Sequence, residues 1–216
     1  MSLVDATELA IINELFGGAA FTADVTLFAS LFTTVPADDG TGGVEANYTG
    51  FARVSVTNNA TNFPSANPKA NVTAISFAQA TAAQVGLLQG MGWYTALTAG
   101  TLRSYAYLCD QMRPMAAAAA SSDTIYCDAA HGWVLDTKVI VIPAAGVTLP
   151  AGLSAGTEYF VRAPSGASLQ LAATAGGVAI DITADGAMLI ARSRFTVVNI
   201  GDTPSFAVSA FSIALD

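Results

Sequence analysis

A chain of 216 residues that is 53% apolar, only 11% charged and carries a formal charge of −8 has ample surface to bury and is not a disordered segment. Its 8 Lys and Arg are nowhere clustered, which excludes a binder that works by neutralising phosphates, so no nucleic-acid partner is expected. Mean hydropathy is +0.52, yet the longest apolar stretches, such as VIVIPAAGVTLPAGL, are broken by Pro and Gly. They fall short of the roughly 18–20 residues of a spanning helix, so no membrane partner is expected either.

The N-terminal stretch MSLVDATELAIINELF has acids where a secretion signal needs a basic start, which points to synthesis in the cytoplasm. Residues 2–16 read as one amphipathic helix. Ser2 is placed to cap it with Asp5 as the reciprocal acid, and Leu9, Ile12 and Phe16 line a face that Leu3, Ile11 and Leu15 widen. Gly17-Gly18 stops it where a left-handed residue is wanted. So apolar a helix on a β-rich chain is expected to pack on the sheet or on a neighbouring subunit.

Strand signals follow. VTLFASLF (25–32) is a mostly apolar run, and GFARVSVT (50–57) alternates. VTAISFA (72–78), GWYTAL (92–97) and TLRSYAYLC (101–109) continue the pattern, with turn residues in each gap. Between the first two lies TTVPADDGTGGVEA (33–46), whose acids and glycines invite a metal or phosphate reading. Calcium loops place acids at alternate positions, whereas Asp38 and Asp39 are adjacent and no acid follows until Glu45. Phosphate loops lead into a helix, and here the chain becomes strand-like. An aspartic-protease motif needs Asp directly before Thr, and Gly40 intervenes. A hairpin loop with left-handed glycines fits.

RPMAAAAASSD (113–123) reads as a low-complexity junction, after which KVIVIP, EYFVRAP, SLQLAAT, VAIDITA and AMLIARS are short strand candidates. The stretch RFTVVNIGDTPSFAVSAFSIALD closes the chain with two strands around NIGDTPS. The expected architecture is therefore all-β: an antiparallel β-sandwich-like domain with one N-terminal amphipathic helix (1–112 plus 194–216) and an inserted small β domain (113–193). Deleting about 114–193 should then leave a folded host domain.

Chemistry is sparse. Cys109 and Cys127 match no zinc spacing and read as two buried thiols. His131 is the only histidine, so any acid–base scheme, such as a polysaccharide hydrolase, must pass through it, and no nucleophile elbow accompanies it. Asp181 and Asp185 flank a turn and read as turn formers before cation ligands. Trp93, Tyr94, Tyr105, Tyr107 and Trp133 raise an aromatic platform for glycan stacking, against the plainer reading of half-buried strand faces. No catalytic, metal or cofactor-binding residue is assigned.

Two resemblances follow from quoted stretches. LFTTVPADDGTGGVEANYTGFARVSVTNNATNFPSA, GWYTALTAGTLRSYAYL and VNIGDTPSFAVSAFSIALD resemble a family of small tailed-phage virion proteins, the tail fibre proteins. Their pattern runs L-F-T-T-x-P, a Gly-rich acidic loop, G-T-G-x-E-V and Y-A-R-x-x-V, then N-x-G-D-T-x-S-F. AAHGWVLDTKVIVI, LPAGLSAGTEYFVR and LQLAATAGGVAIDITADG resemble a β module that recurs in phage tail and virion proteins, with Leu169 in place of its usual aromatic. The resemblance implies a non-enzymatic virion component of the tail or fibre, made in the host cytoplasm. It would associate with copies of itself, a trimer being one candidate, and with other virion proteins. A head decoration or cement protein, and a glycan-binding adhesin with a host-surface glycan as partner, are the alternatives.

Overall fold

The computed structural model describes residues 2–64, 69–143, 147–210 and 212–213. Residues 65–68 of an expected turn, 144–146 of an expected loop, and 211 and 214–216 of the closing stretch lie outside the described residues. The chain is all-β with antiparallel sheets and one N-terminal helix, and it divides into two compact units, 1–108 with 195–216 and 109–194.

Unit 1 is built on a six-stranded sheet in the order β1 (Ser2–Leu3), β8 (Leu102–Tyr107), β7 (Gly90–Tyr94), β2 (Thr26–Thr34), β3 (Val44–Glu45), with β4 (Val54–Thr57) also on β2. Long β2 is shared: Thr26–Ala29 pair with β4, and Phe32 and Thr34 pair with β3. It runs apolar at both parities because both faces are covered. Ala29 and Leu31 enter the main core with Met91, Trp93, Ile75 and Phe77, while Phe32 joins Val4 and Leu102 on the opposite face. Glycines in β7 make room for this packing: a Cβ on Gly92 would stand 2.7 Å from the Phe32 ring, and one on Gly90 2.4 Å from Val35. Two short ladders complete the unit, β6 (Ile75–Ser76) with β15 (Ser205–Phe206), and β5 (Lys69–Ala70) with β16 (Ser212–Ile213). Among the described residues of the closing stretch, only these pairs and a bridge from Thr196 to Leu88 are strand-like.

The helix departs from its expected bounds. Ser2 and Leu3 pair with Tyr105 and Ser104, so α1 spans Asp5–Ile12, and the residue before it is Val4 in extended conformation with no side-chain cap. Sheet pairing of the first residues outcompetes the local capping motif. A π turn, Asn13–Gly17, follows, and Gly18 ends the helical segment at φ 69°, as the Gly-Gly signal indicates. Of α1 only Thr7 is buried.

Unit 2 is a closed six-stranded antiparallel barrel: β10 (Thr124–Cys127), β13 (Ser168–Ala172), β12 (Glu158–Ser165), β11 (Lys138–Ile142), β14 (Leu189–Ser193), β9 (Cys109–Ala119) and back to β10. Closure removes sheet edges and leaves an interior that side chains fill. Ile125, Val139, Val141, Val161, Leu169, Leu171 and Ile190 fill it at 1% exposure or less. The alanine run of 116–120 falls largely in β9 and is not a junction. VAIDITA forms only isolated bridges.

Candidate functional site

The acidic glycine loop is the connection between β2 and β3. Asp39 accepts the backbone N–H and the hydroxyl of Thr41, both at 2.8 Å, which holds its carboxyl below the usual range. Gly40 and Gly42 turn the chain at φ 80° and 73°. Asp38 faces the helix: its carbonyl accepts the Asp5 N–H at 3.0 Å, and its carboxylate accepts the Tyr105 hydroxyl at 3.1 Å. The loop therefore satisfies an orphan donor at the start of α1 that no side chain caps. Among the described residues no three His, Cys, Asp or Glu side chains converge as a metal-binding group.

Beyond the loop stands a charge cluster that spacing does not disclose. Glu45 on β3 takes a bidentate pair of bonds from Arg53, Nε to Oε1 at 2.7 Å and an Nη to Oε2 at 2.8 Å, and the Ser30 hydroxyl also donates to it. The other Arg53 Nη donates to the carbonyls of Ala96 (2.8 Å) and Ala99 (2.5 Å). The guanidinium carbon lies 3.4 Å from the centroid of the Tyr94 ring. Burial opposes ionisation of Glu45, but the Arg53 and Ser30 hydrogen bonds and the Arg53 charge outweigh it and hold the carboxyl below its ordinary range. Burial and the Glu45 charge push the Tyr94 hydroxyl up. The signal available was two lone opposite charges in strand-like segments.

His131 is buried, its Nδ1 accepting the Trp133 N–H at 3.0 Å and its Nε2 standing 3.2 Å from the Ser168 carbonyl. With both nitrogens so engaged, this network assigns the tautomer with the proton on Nε2, and the ring holds a turn whose Gly132 has φ 70°. Trp133 and Trp93 are buried, so neither stands on an exposed platform, and Trp133 Nε1 donates to Gln111 at 3.0 Å. Tyr94, Tyr105 and Tyr107 are half-buried on their strands. Cys109 and Cys127 are free thiols, both pushed up by burial. Asp181 and Asp185 are exposed, and Asp185 accepts the Ala120 N–H at 2.8 Å. The NIGDTPS turn is closed by Asp202, whose carboxylate accepts the Asn199 N–H at 2.8 Å, and Gly201 and Asp202 bond to Ala80.

What unit 1 leaves uncovered is the segment leading out of α1. Ile12 through Ala23 are all exposed, including Leu15, Phe16 (87%) and Phe21, and Leu9 is exposed just before them. Glu14 accepts the Phe21 N–H across this arm, and the Arg103 pair with Asp24 fixes its far end.

A family model described as podophage GP4 fiber I protein gp80 matches residues 2–122, more than half of the chain. The chain belongs to that family. This gp80-family chain is thus a phage fibre-type protein and a structural component of the virion. The matched span holds α1, the exposed arm, the acidic loop, the Glu45–Arg53 pair and β9, which closes the barrel. A search of the curated proteins returns no match.

Proposed function

We propose that this chain is a non-enzymatic fibre component that docks on the phage particle through its N-terminal arm and assembles with copies of itself through other surface. The observation that carries the reading is the arm: contiguous exposed apolar residues on a well-packed unit mark an interaction surface. The sole histidine, buried and engaged at both nitrogens within unit 2, supports a role without acid–base chemistry. Residues 109–194 are read as a module inserted in a surface loop, projecting outward or reaching a neighbouring subunit. A cryo-EM reconstruction of the particle tests this. Density for the chain in a few symmetric copies on the tail, with residues 9–21 against another protein, is expected. Hundreds of copies on the capsid faces, or none on the particle, would sink it.

A further inference from the structure

The arm lies in a stretch of sequence with charge of one sign. Residues 1–52 contain seven Asp and Glu and no Lys, Arg or His. Unit 1 as a whole has nine acids against three cations, whereas unit 2 has seven against five. The three cations of unit 1 are all engaged at home: Arg53 by Glu45, Arg103 by Asp24, and Lys69 by the Phe63 and Pro64 carbonyls. Glu14 within the arm and Asp5 and Glu8 on the helix that leads into it are exposed as well, as are Asp38 and Asp39 beyond the start of that helix. The surface is apolar anchors in an acidic surround.

A second copy of this chain is a poor match. Its unit 1 repeats the same charge, and in its unit 2 Lys138, Arg192 and Arg194 sit in ion pairs, Arg162 donates to the Gly176 and Gly177 carbonyls, and the fifth cation, Arg113, is half-buried on β9. Like charges brought together across an interface oppose association, and complementary ones steer it. We infer that the arm docks into an apolar groove, rimmed by Lys and Arg, on a different virion protein, with Leu15 and Phe16 as the anchors. This rests on the docking role proposed above and adds the chemistry of the partner. Burial of Phe16 and Leu15 supplies affinity, and the acids supply orientation and encounter rate.

The test uses purified full-length protein and particles assembled without it, with attachment measured by co-sedimentation. Wild type is expected to attach at low salt and to lose about tenfold in attachment between about 50 and 500 mM NaCl, as rim charge pairs are screened. The double variant Leu15→Ser, Phe16→Ser should attach about tenfold less at low salt, with unchanged circular dichroism because both side chains are exposed. Glu8→Gln with Glu14→Gln should attach more weakly at low salt and show a shallower salt dependence. Attachment indifferent to salt and to the acids overturns the basic rim. A Leu15/Phe16 variant that attaches normally overturns the arm as the docking element. If that variant instead breaks an oligomer of the free protein while attaching to particles, a second copy is the occupant. Should wild type attach to no particle, the docking role itself fails; wild-type attachment that the variants share defeats only this inference.

Discussion

Arg53 is 7% exposed at its side chain, and its guanidinium meets Glu45, two carbonyls of the 95–100 loop and the Tyr94 ring. Truncating one partner of such a pair strands the other charge, which is why loss of one member costs more than the pair contributes. Glu45 keeps 31% exposure and can recover some water, so Arg53→Ala is expected to lose about 2–3 kcal/mol in urea unfolding, below the ~3–5 of a fully buried pair. Arg53→Lys should restore less than half, because one ammonium cannot reach both carboxylate oxygens and both carbonyls. The same cluster sets a pH dependence. Glu45 has a lowered pKa in the folded state, so its contribution is complete above the ordinary carboxylate pKa and is lost as pH falls through the lowered value. Glu45→Gln should flatten the acid limb of stability against pH. A limb of unchanged slope in that variant would place the titration elsewhere, for instance at Asp110, which the Arg192 and Arg194 hydrogen bonds also hold below its ordinary range.

At the scale of elements, the strands that alternate or run apolar were legible. KVIVIP, EYFVRAP, SLQLAAT and VTLFASLF lie within a residue or two of β11, β12, β13 and β2. So was the end of the helical segment at Gly18, because a left-handed stop is a local signal. The start of α1 was not, since pairing of Ser2 and Leu3 with a strand about a hundred residues on is decided by the sheet. Least legible was β9. Alanine runs favour helix by propensity, and nothing local in 116–120 asks for a strand. Tertiary context asks for it: Ala118 is fully buried in the barrel core and bridges Gly186, where a Cβ would meet Pro150 N at 2.6 Å. Smallness at this contact is therefore a packing requirement. Ala118→Leu is expected to destabilise the protein by about 1–3 kcal/mol through overpacking, measured by thermal or urea unfolding. A neutral result would show that the barrel interior has slack there.

At the scale of the whole molecule, the two crossings between the units are fixed by neighbouring residues of unit 1. The Leu108 N–H donates to the Gln89 carbonyl at 2.8 Å, and Leu88 and Thr196 exchange backbone bonds at 2.8 and 3.1 Å. The chain thus leaves unit 1 and returns to it beside the same two residues. Unit 2 is anchored in the same manner, since Cys109 pairs with Ser193 where β9 meets β14. Each unit consequently has its own ends side by side, the geometry in which a loop insertion adds little closure entropy. The residue at which the sequence suggests a second module to begin, 113, falls inside β9 (Cys109–Ala119), because the alanine-rich stretch forms a strand and not a junction. Replacing 109–194 by a linker of about four Gly/Ser residues should therefore give a folded unit 1, with a cooperative urea transition and the blue-shifted fluorescence of buried Trp93. Residues 109–194 alone should fold as a closed barrel, with Trp133 buried and its transition independent of unit 1. An aggregated deletion product beside a soluble full-length chain would mean that unit 1 needs the barrel to fold, and the two would then be one cooperative domain in spite of their separate cores.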